Sequence, residues 1–411
     1  PPIPNTAAPM SPELLDDYRW LLGDDARRWL RRVAEDPLPL VRQAAALRRE
    51  ISAKRTHLVL EQAELRRRAR VKFSEADRMF FTPVGLEQAT DEVLASYKAD
   101  RFPLAAPLAD LCCGIGGDLL ALARRGPVSG VDRDPVVTLL AEANLNVLCL
   151  RTSGFQPRIL LADAAAISLE DYAAWHVDPD RRPQGRRTTQ VELHEPAASI
   201  LNRLLDSDPQ AAMKLAPATD PPRQWALQAE LEWISRGGEC RQLVAWFGSL
   251  ARQPGYRRAT VLSASGRAGL RTPWTIFGQP SESLPVAPRI GRYLFDPDPA
   301  VLAARLLPVL AERHTLAAVD TQSVYLTGDE PVATEGVACF EVTDVLPFDR
   351  RRLNQVFDSR GIGQLEIKKR GVGDTPEQIR RRLRLRGDKA AVLLLTPIGG
   401  RVAAVLARRL D

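Results

Sequence analysis

Cysteine and histidine are scarce in this chain, five and four among 411 residues. The cysteines, Cys112, Cys113, Cys149, Cys240 and Cys339, form no Cys-x-x-Cys pair and have no histidine at metal-ligand spacing. That argues against a zinc centre, or a metal of any kind, and against the disulfide framework of a small secreted domain. A reducing cytoplasm is the expected compartment. No apolar run approaches the roughly 20 residues of a membrane span, and Pro1 to Met10 lack the basic start and apolar core of a secretory signal. The expectation is a soluble intracellular protein with no membrane partner. Charge of one sign is lacking too: 57 Lys and Arg against 51 Asp and Glu leave +6, a lean toward polyanions that identifies no partner alone. What remains is ordinary globular composition, 45% hydrophobic and 26% charged, in a length that suits roughly two or three domains. Oligomeric state is not legible.

Residues 1–70 read as a helical region. Ser11-Pro12-Glu13 forms an N-cap signal, and Leu14, Leu15, Tyr18, Leu21 and Leu22 recur at helical spacing. The arginine runs there (Arg27, Arg28, Arg31, Arg32; Arg66-Arg67-Arg68 and Arg70) read first as solvated helix faces and second as a nucleic-acid surface. Residues 71–280 alternate short apolar runs with helical stretches, as a parallel sheet with crossover helices requires. The strands are placed at Leu108–Leu111, Val128–Val131, Arg158–Leu161, Ala174–Val177, Ala211–Leu215 and Ala259–Ser263, with helices at Asp118–Arg125, Pro135–Leu145, Pro196–Leu205 and Glu239–Ala251. Gly278 to Pro288 reads as a linker. Residues 281–411 read as a smaller α/β domain: a helix from Pro299 to Arg313, strands near Ser323–Leu326, Cys339–Val342, Gln364–Lys368 and Ala391–Thr396, and a helix from Pro376 opened by a Thr375/Gln378 capping box.

The informative stretch is Asp110-Leu111-Cys112-Cys113-Gly114-Ile115-Gly116-Gly117-Asp118, followed by Val131-Asp132-Arg133-Asp134. A strand ending in a glycine turn that opens a helix, with an acid at the next strand end, is how a doubly wound sheet holds an adenosine-type cofactor. A nicotinamide or flavin fold makes the same first impression. The dinucleotide fingerprint, however, wants a third glycine where Leu119 stands, and Asp110 before the loop suits a cofactor with an ammonium group and no pyrophosphate. The two oxygens of Asp132 match the two ribose hydroxyls.

This stretch resembles the first motif of class I S-adenosylmethionine-dependent methyltransferases, whose Asp-x-x-x-Gly-x-Gly-Gly form is common among RNA-modifying members. The resemblance implies a Rossmann-like sheet and S-adenosyl-L-methionine as cofactor. It places Asp110, Cys112, Gly114, Gly116 and Gly117 at the methionine end, Asp132 and Arg133 at the ribose, and Asp163 and Ala164 beside the adenine. Phe80-Phe81-Thr82-Pro83 and the segment from Leu86 to Ala95 resemble in part the trimethylguanosine synthase group, with Asp91 where that group has proline. Thr90 there either caps a helix or faces the cofactor.

In this class the residues after the fourth strand face the methyl acceptor. Asp178-Pro179-Asp180-Arg181-Arg182 makes Asp178, Pro179 and Arg181 the catalytic candidates, and Arg182, Arg186 and Arg187 candidate substrate contacts. Asp178 could orient an acceptor N–H or take its proton. Asp-Pro-Asp-Arg matches neither the adenine-amine nor the cap-guanosine signature, so the acceptor atom stays open. Methylation at a pyrimidine carbon needs a cysteine nucleophile. Cys112 and Cys113 read as packing residues, Cys240 as the structural opener of a helix, and His176 as a satisfied core histidine.

Further segments, among them Lys214-Leu215-Ala216-Pro217, Tyr293 to Pro299 and Ile367-Lys368-Lys369-Arg370-Gly371, resemble bacterial methyltransferases with a C-terminal THUMP-like domain. That resemblance implies an RNA partner, transfer or ribosomal, with Lys368, Lys369 and Arg370 among the contacts. The cations from Lys368 to Arg386 are close enough in sequence to track a phosphate backbone, and few aromatics interleave for base stacking. Two other functions stay open: methylation of a small molecule or protein, and a non-catalytic RNA-binding protein on a vestigial cofactor fold.

Overall fold

The computed structural model of the chain describes residues 12–149, 157–181, 188–263, 272–281 and 283–410. These fall into two compact units. The first holds the described residues up to Leu215 together with Trp246–Arg252, and the second holds Ala216–Ala245, 253–263 and the described residues from 272 onward. The expected cap Ser11 lies outside the described residues, as do Arg182, Arg186 and Arg187.

In the first unit, helices α1 (Pro12–Leu22), α2 (Asp24–Glu35), α3 (Leu40–Leu47), α4 (Ala53–Ala69), α5 (Pro83–Gln88) and α6 (Glu92–Ala99) precede strand β1 (Leu108–Leu111). Then follow α7 (Leu119–Leu122), β2 (Val128–Asp132), α8 (Pro135–Cys149), β3 (Arg158–Leu161), β4 (Ala174–Val177), α9 (Ala198–Ser207) and β5 (Ala211–Leu215). The five strands run parallel in the order β3-β2-β1-β4-β5. Strand β1 is buried along its whole length, as a strand covered on both faces must be, and its apolar run reflects that. The order reverses between β1 and β4, and the crevice beyond the strand ends at such a reversal is where open α/β sheets bind ligands.

Two of the N-terminal arginines serve their own helices. Arg27 pairs with Asp24 at 2.9 Å and Arg67 with Glu64 at 2.6 Å, each one turn away on an exposed face. Arg66 differs: its Nε donates to the Met79 carbonyl at 2.9 Å, its guanidinium lies 4.8 Å from the Phe80 ring centroid, and burial pushes its pKa down to about 10. The expected apolar stripe is narrower than its spacing suggests, with Tyr18 and Leu21 buried and Leu14 exposed.

The second unit contains α10 (Arg223–Gln228), β6 (Glu230–Arg236), β7 (Glu239–Trp246), β8 (Arg257–Leu262), β9 (Trp274–Gly278) and β10 (Tyr293–Pro297). It continues with α11 (Pro299–Ala303), α12 (Leu307–His314), β11 (Ala317–Ala318), β12 (Leu326–Gly328), β13 (Val337–Pro347), α13 (Arg350–Arg360), β14 (Ile362–Lys369), α14 (Pro376–Arg381), β15 (Lys389–Ile398) and β16 (Arg401–Leu410). Strands β10 to β16 form one sheet in the order β11-β12-β10-β13-β16-β15-β14, antiparallel except for the β14/β15 pair. The period of two is plain in β15 and β16. Leu393, Leu395, Ala404 and Leu406 face a core with Leu353 and Phe357 of α13, while Val392, Leu394, Val405 and Ala407 face a second core with Tyr325 and Phe340. The capping box of α14 forms as expected: the Gln378 amide donates to Thr375 Oγ1 at 3.2 Å and the Thr375 amide to Gln378 Oε1 at 2.8 Å.

Two expected helices are corrected. Residues 239–251 do not form one: Gly237 and Gly238 adopt φ of +63° and +75°, the backbone of a two-residue hairpin turn, and β7 follows. Cys240 therefore sits in a strand, not at a helix start. The helix from Pro299 to Arg313 is broken at Arg305 and Leu306, because Pro308 supplies no amide and its ring excludes the carbonyl four residues back, leaving Arg305 at φ +57°. Helix α13 and strand β16 went unassigned in the sequence.

Phe357 is fully buried. Phe357→Ala should cost about 3–5 kcal/mol in urea denaturation, whereas a loss below about 1 kcal/mol would mean that α13 is only loosely applied to its sheet.

Candidate active site

At the end of β1 the chain turns through Cys112 (φ +55°), Gly114 (φ +55°) and Gly116 (φ +96°), with the Cys113 amide donating to the Val131 carbonyl at 3.0 Å and that of Gly116 to Cys113 at 3.0 Å. A Cβ on Gly114 would meet no atom within 4 Å, so this backbone lies open to whatever the cavity holds. A Cβ on Gly117 would come within 3.0 Å of the Thr90 backbone, so the missing side chain serves close packing of loop on preceding segment. Asp132 orders the turn from the next strand. Its Oδ2 accepts from the Gly114 amide and its Oδ1 from the Asp134 amide, each at 3.0 Å. Burial raises its pKa while these amides pull it down.

Beneath the loop lies a buried network of charges. Asp110 Oδ1 stands 2.7 Å from His176 Nδ1, and His176 Nε2 stands 3.4 Å from Lys98 Nζ. Lys98 makes an ion pair with Asp118 Oδ1 at 2.6 Å, and Thr90 donates to Asp118 Oδ2 at 2.6 Å. Lys98 is 2% exposed and Asp110 1%. Burial works against the charge of Asp118, but Lys98, with His176 and Lys214, outweighs it and holds the carboxyl far below the usual carboxylate range. For Asp110 burial prevails over His176 and Lys98, and its pKa is raised. Asp110 Oδ2 is buried with no hydrogen-bond partner among the described residues.

Loop, network and strand ends enclose a cavity of about 1130 Å³. Thr90, Asp110, Cys112, Gly114, Gly117, Asp132, Arg133, Asp163, Ala164, Asp178, Pro179 and Arg181 all line it, whereas Gly116 does not. Gly116 shapes the turn. The expected cap role of Thr90 falls to Asp91, whose Oδ1 accepts from the Val93 and Leu94 amides, since an Asp one residue later reaches both donors and frees the threonine hydroxyl for Asp118. Asp163 caps the turn after β3 through the Ala165 amide at 2.8 Å. The Arg133 guanidinium is forked onto the Glu195 carboxylate.

Beyond β4, Asp178 Oδ2 lies 2.5 Å from Lys214 Nζ, which also donates to the Gln88 carbonyl at 3.1 Å. Gln88 in turn donates to Asp180 Oδ1 at 3.1 Å. His194 also lines the cavity, buried, with Nδ1 unpartnered among the described residues. The thiols of Cys112 and Cys113 are pushed well above their ordinary range by burial and by nearby carboxylates, and that of Cys240 to about 12, mainly by burial. None is an activated nucleophile. In the second unit Lys368 Nζ and Arg370 Nη2 both bind Asp296, at 2.8 and 3.0 Å, and Lys369 Nζ donates to the Val372 carbonyl at 2.8 Å.

Residues 337–409 match the family model described as THUMP domain-like. Over 352 residues the chain is 34% identical to an uncharacterized S-adenosylmethionine-dependent methyltransferase of Mycobacterium tuberculosis, found in strains CDC 1551 / Oshkosh and ATCC 25618 / H37Rv, covering 83% of this chain and 92% of the relative. The chain belongs to the S-adenosylmethionine-dependent methyltransferases. The crystal structure of a protein assigned as a methyltransferase from Porphyromonas gingivalis W83 shares the fold of this methyltransferase, with a TM-score of 0.75, 20% identity and coverage of 97% and 98% of the two chains. The cofactor of the methyltransferase is S-adenosylmethionine, and the residues present fit it: a buried carboxylate oxygen lacks a donor, the Gly114 backbone is open, and the cavity lies at the switch point of the sheet.

Sequence reading missed Lys98, Gln88, His194, Glu195 and, as a site residue, Lys214. The lysines stand in apolar stretches where a charge is anomalous unless paired, and that anomaly was the available signal. It also missed Asn144 of α8, whose amide holds Phe80 on both sides (2.8 and 3.0 Å) and the Ile115 carbonyl (2.9 Å).

Lys98→Met leaves Asp118 buried without its ammonium and should destabilise the methyltransferase by about 3–5 kcal/mol at neutral pH. In the native protein the depressed Asp118 contributes stability that is present above about pH 4 and lost below it. In the variant Asp118 would be raised and so neutralised readily, and the gap between the two proteins should narrow as pH falls toward about 4. Urea denaturation across pH checks the sign; a gap that widens would place the charge elsewhere.

Proposed function

We propose that this methyltransferase transfers the methyl group to a nucleotide in RNA, either transfer or ribosomal. The observation that carries the reading is the THUMP domain-like segment at residues 337–409 on the same chain as the methyl-donor cavity. When bound, S-adenosylmethionine supplies an electrophilic methyl on a sulfonium, so the chain has mainly to hold and align.

The unpartnered Oδ2 of Asp110 would accept from the cofactor's ammonium, with the His176 and Lys98 network fixing the other oxygen in place. The open Gly114 backbone, Cys112 and Thr90 would frame the methionine end. Asp132, keeping spare acceptor sites beside its two amide bonds, would take the ribose hydroxyls. Asp163 and Ala164 would flank the adenine. Asp178 is the group for the acceptor: held by Lys214, it can receive an N–H from an amine and accept the proton released as the new bond forms. Pro179 and Arg181 would border the acceptor nucleotide. A cysteine-dependent route to a pyrimidine carbon finds no support in the raised thiols.

Lys368 and Arg370 share one carboxylate, so their charge is already partly balanced within the protein. Reversing Lys368, Lys369 and Arg370 together is expected to weaken RNA binding and flatten its salt dependence. An unchanged slope would move the contact to other cations.

Titration calorimetry should show binding of S-adenosylmethionine but not NAD, weakened about tenfold or more by Asp110→Asn or Asp132→Ala. Radiolabelled methyl transfer into fractionated RNA should fall about a hundredfold or more in Asp178→Ala with cofactor binding retained. Transfer to a small molecule or a protein with none to RNA would overturn the substrate class alone.

A further inference from the structure

We propose that the second compact unit carries a binding site for a phosphate group, built from Arg257, Arg305, Thr219 and Trp233. These residues line a cavity of about 370 Å³ that shares no residue with the cavity at the glycine loop. The proposal is independent of RNA as the methyl acceptor.

Several arginines in this unit are matched to carboxylates. Arg292 and Arg408 share Glu341, Arg382 pairs with Asp374, Arg409 with Glu366, and Arg258 with the buried Glu230. Arg257 and Arg305 are not among these, and both line one cavity. Among the described residues neither makes an ion pair, although Asp220 also lines the cavity, and two guanidiniums against one carboxylate leave the site with net positive charge. Burial and the neighbouring Arg305 both lower the pKa of Arg257, so the two cations feel each other. An anion between them would relieve that repulsion, and two guanidinium forks suit the oxygens of a phosphate.

The surroundings hold the site in shape before any ligand arrives. Trp233 is buried and donates its Nε1–H to the Pro217 carbonyl at 2.9 Å, while the Arg257 guanidinium lies 5.4 Å from the indole centroid and donates to the Ala304 carbonyl at 3.3 Å. Two contacts thus fix one fork, and a third fixes the indole beneath it. The hydroxyl of Thr219, 4% exposed, is buried with no hydrogen-bond partner among the described residues. Arg305 occupies the left-handed region at φ +57°, a conformation that a non-glycine residue adopts at a cost and that recurs at ligand clamps.

The test uses the full chain with inorganic phosphate, adenosine monophosphate and a short single-stranded oligoribonucleotide as probes in titration calorimetry. Arg305→Gly removes the charge and the backbone strain together, so its melting temperature should be unchanged or higher. Arg257→Gln is the second variant. The expected result is saturable binding of at least one probe, weakened about ten- to hundredfold in both variants, with S-adenosylmethionine affinity unaltered. Equal loss for phosphate and the mononucleotide would identify a free phosphate ligand; loss for the oligonucleotide alone would identify a backbone phosphodiester. Either supports the site. Binding that is indistinguishable between native protein and Arg305→Gly, or no saturable binding of any probe, overturns it.

Discussion

A single buried ammonium holds together the carboxylates beside the glycine loop. Asp110 and Asp118 flank the glycine loop in a region almost closed to water, where an unpaired carboxylate would cost several kcal/mol or surrender its charge. Lys98 reaches one of them directly and the other through the His176 ring. Helix α6 packs against α7, and its last turn delivers this lysine under the loop. Thr90 and the Gly117 backbone contact then bind the segment before α6 to the loop itself. The balance leaves one oxygen of Asp110 without a donor, which gives the network an outlet toward a cationic ligand.

The first unit was legible because its strands are short apolar runs, β1, β4 and β5 buried along their whole length, with a glycine turn between the first and its helix. Those signals are local. Asp110, Gly114, Asp132 and Asp178 lie along the cavity for the same reason, each at the end of a strand that the hydrophobic pattern marks. The partners that hold them were not legible: Lys98 lies 78 positions from His176, Lys214 lies 36 from Asp178, and Asn144 lies 64 from Phe80. Pairing across such distances depends on which strands become neighbours, and no window of sequence carries it. The hairpin at Gly237-Gly238 is different. Its turn signal was local and present, and the helical spacing read after it describes a strand with both faces covered.

In the second unit the sequence groups charges that the fold partly pairs. Lys368, Lys369 and Arg370 stand together in the chain and suggest an exposed cationic patch. Asp296, more than 70 positions away, neutralises two of them. Arginines that look scattered, Arg257 and Arg305, are instead brought to one cavity, with Asp220 as the carboxylate beside them. Folding redistributes formal charge by pairing it, and the surplus that remains need not lie where the sequence concentrates it.

Asn144 has a further consequence. Its one amide grips the strand-like segment at Phe80 and the floor of the glycine loop at Ile115, and α8 carries it between them. A shift of the loop toward an arriving ligand cannot occur alone: it must drag the pre-loop segment with it or break the clasp. The two walls of the cavity are therefore geared to one axle, and whatever tightens one wall tightens the other.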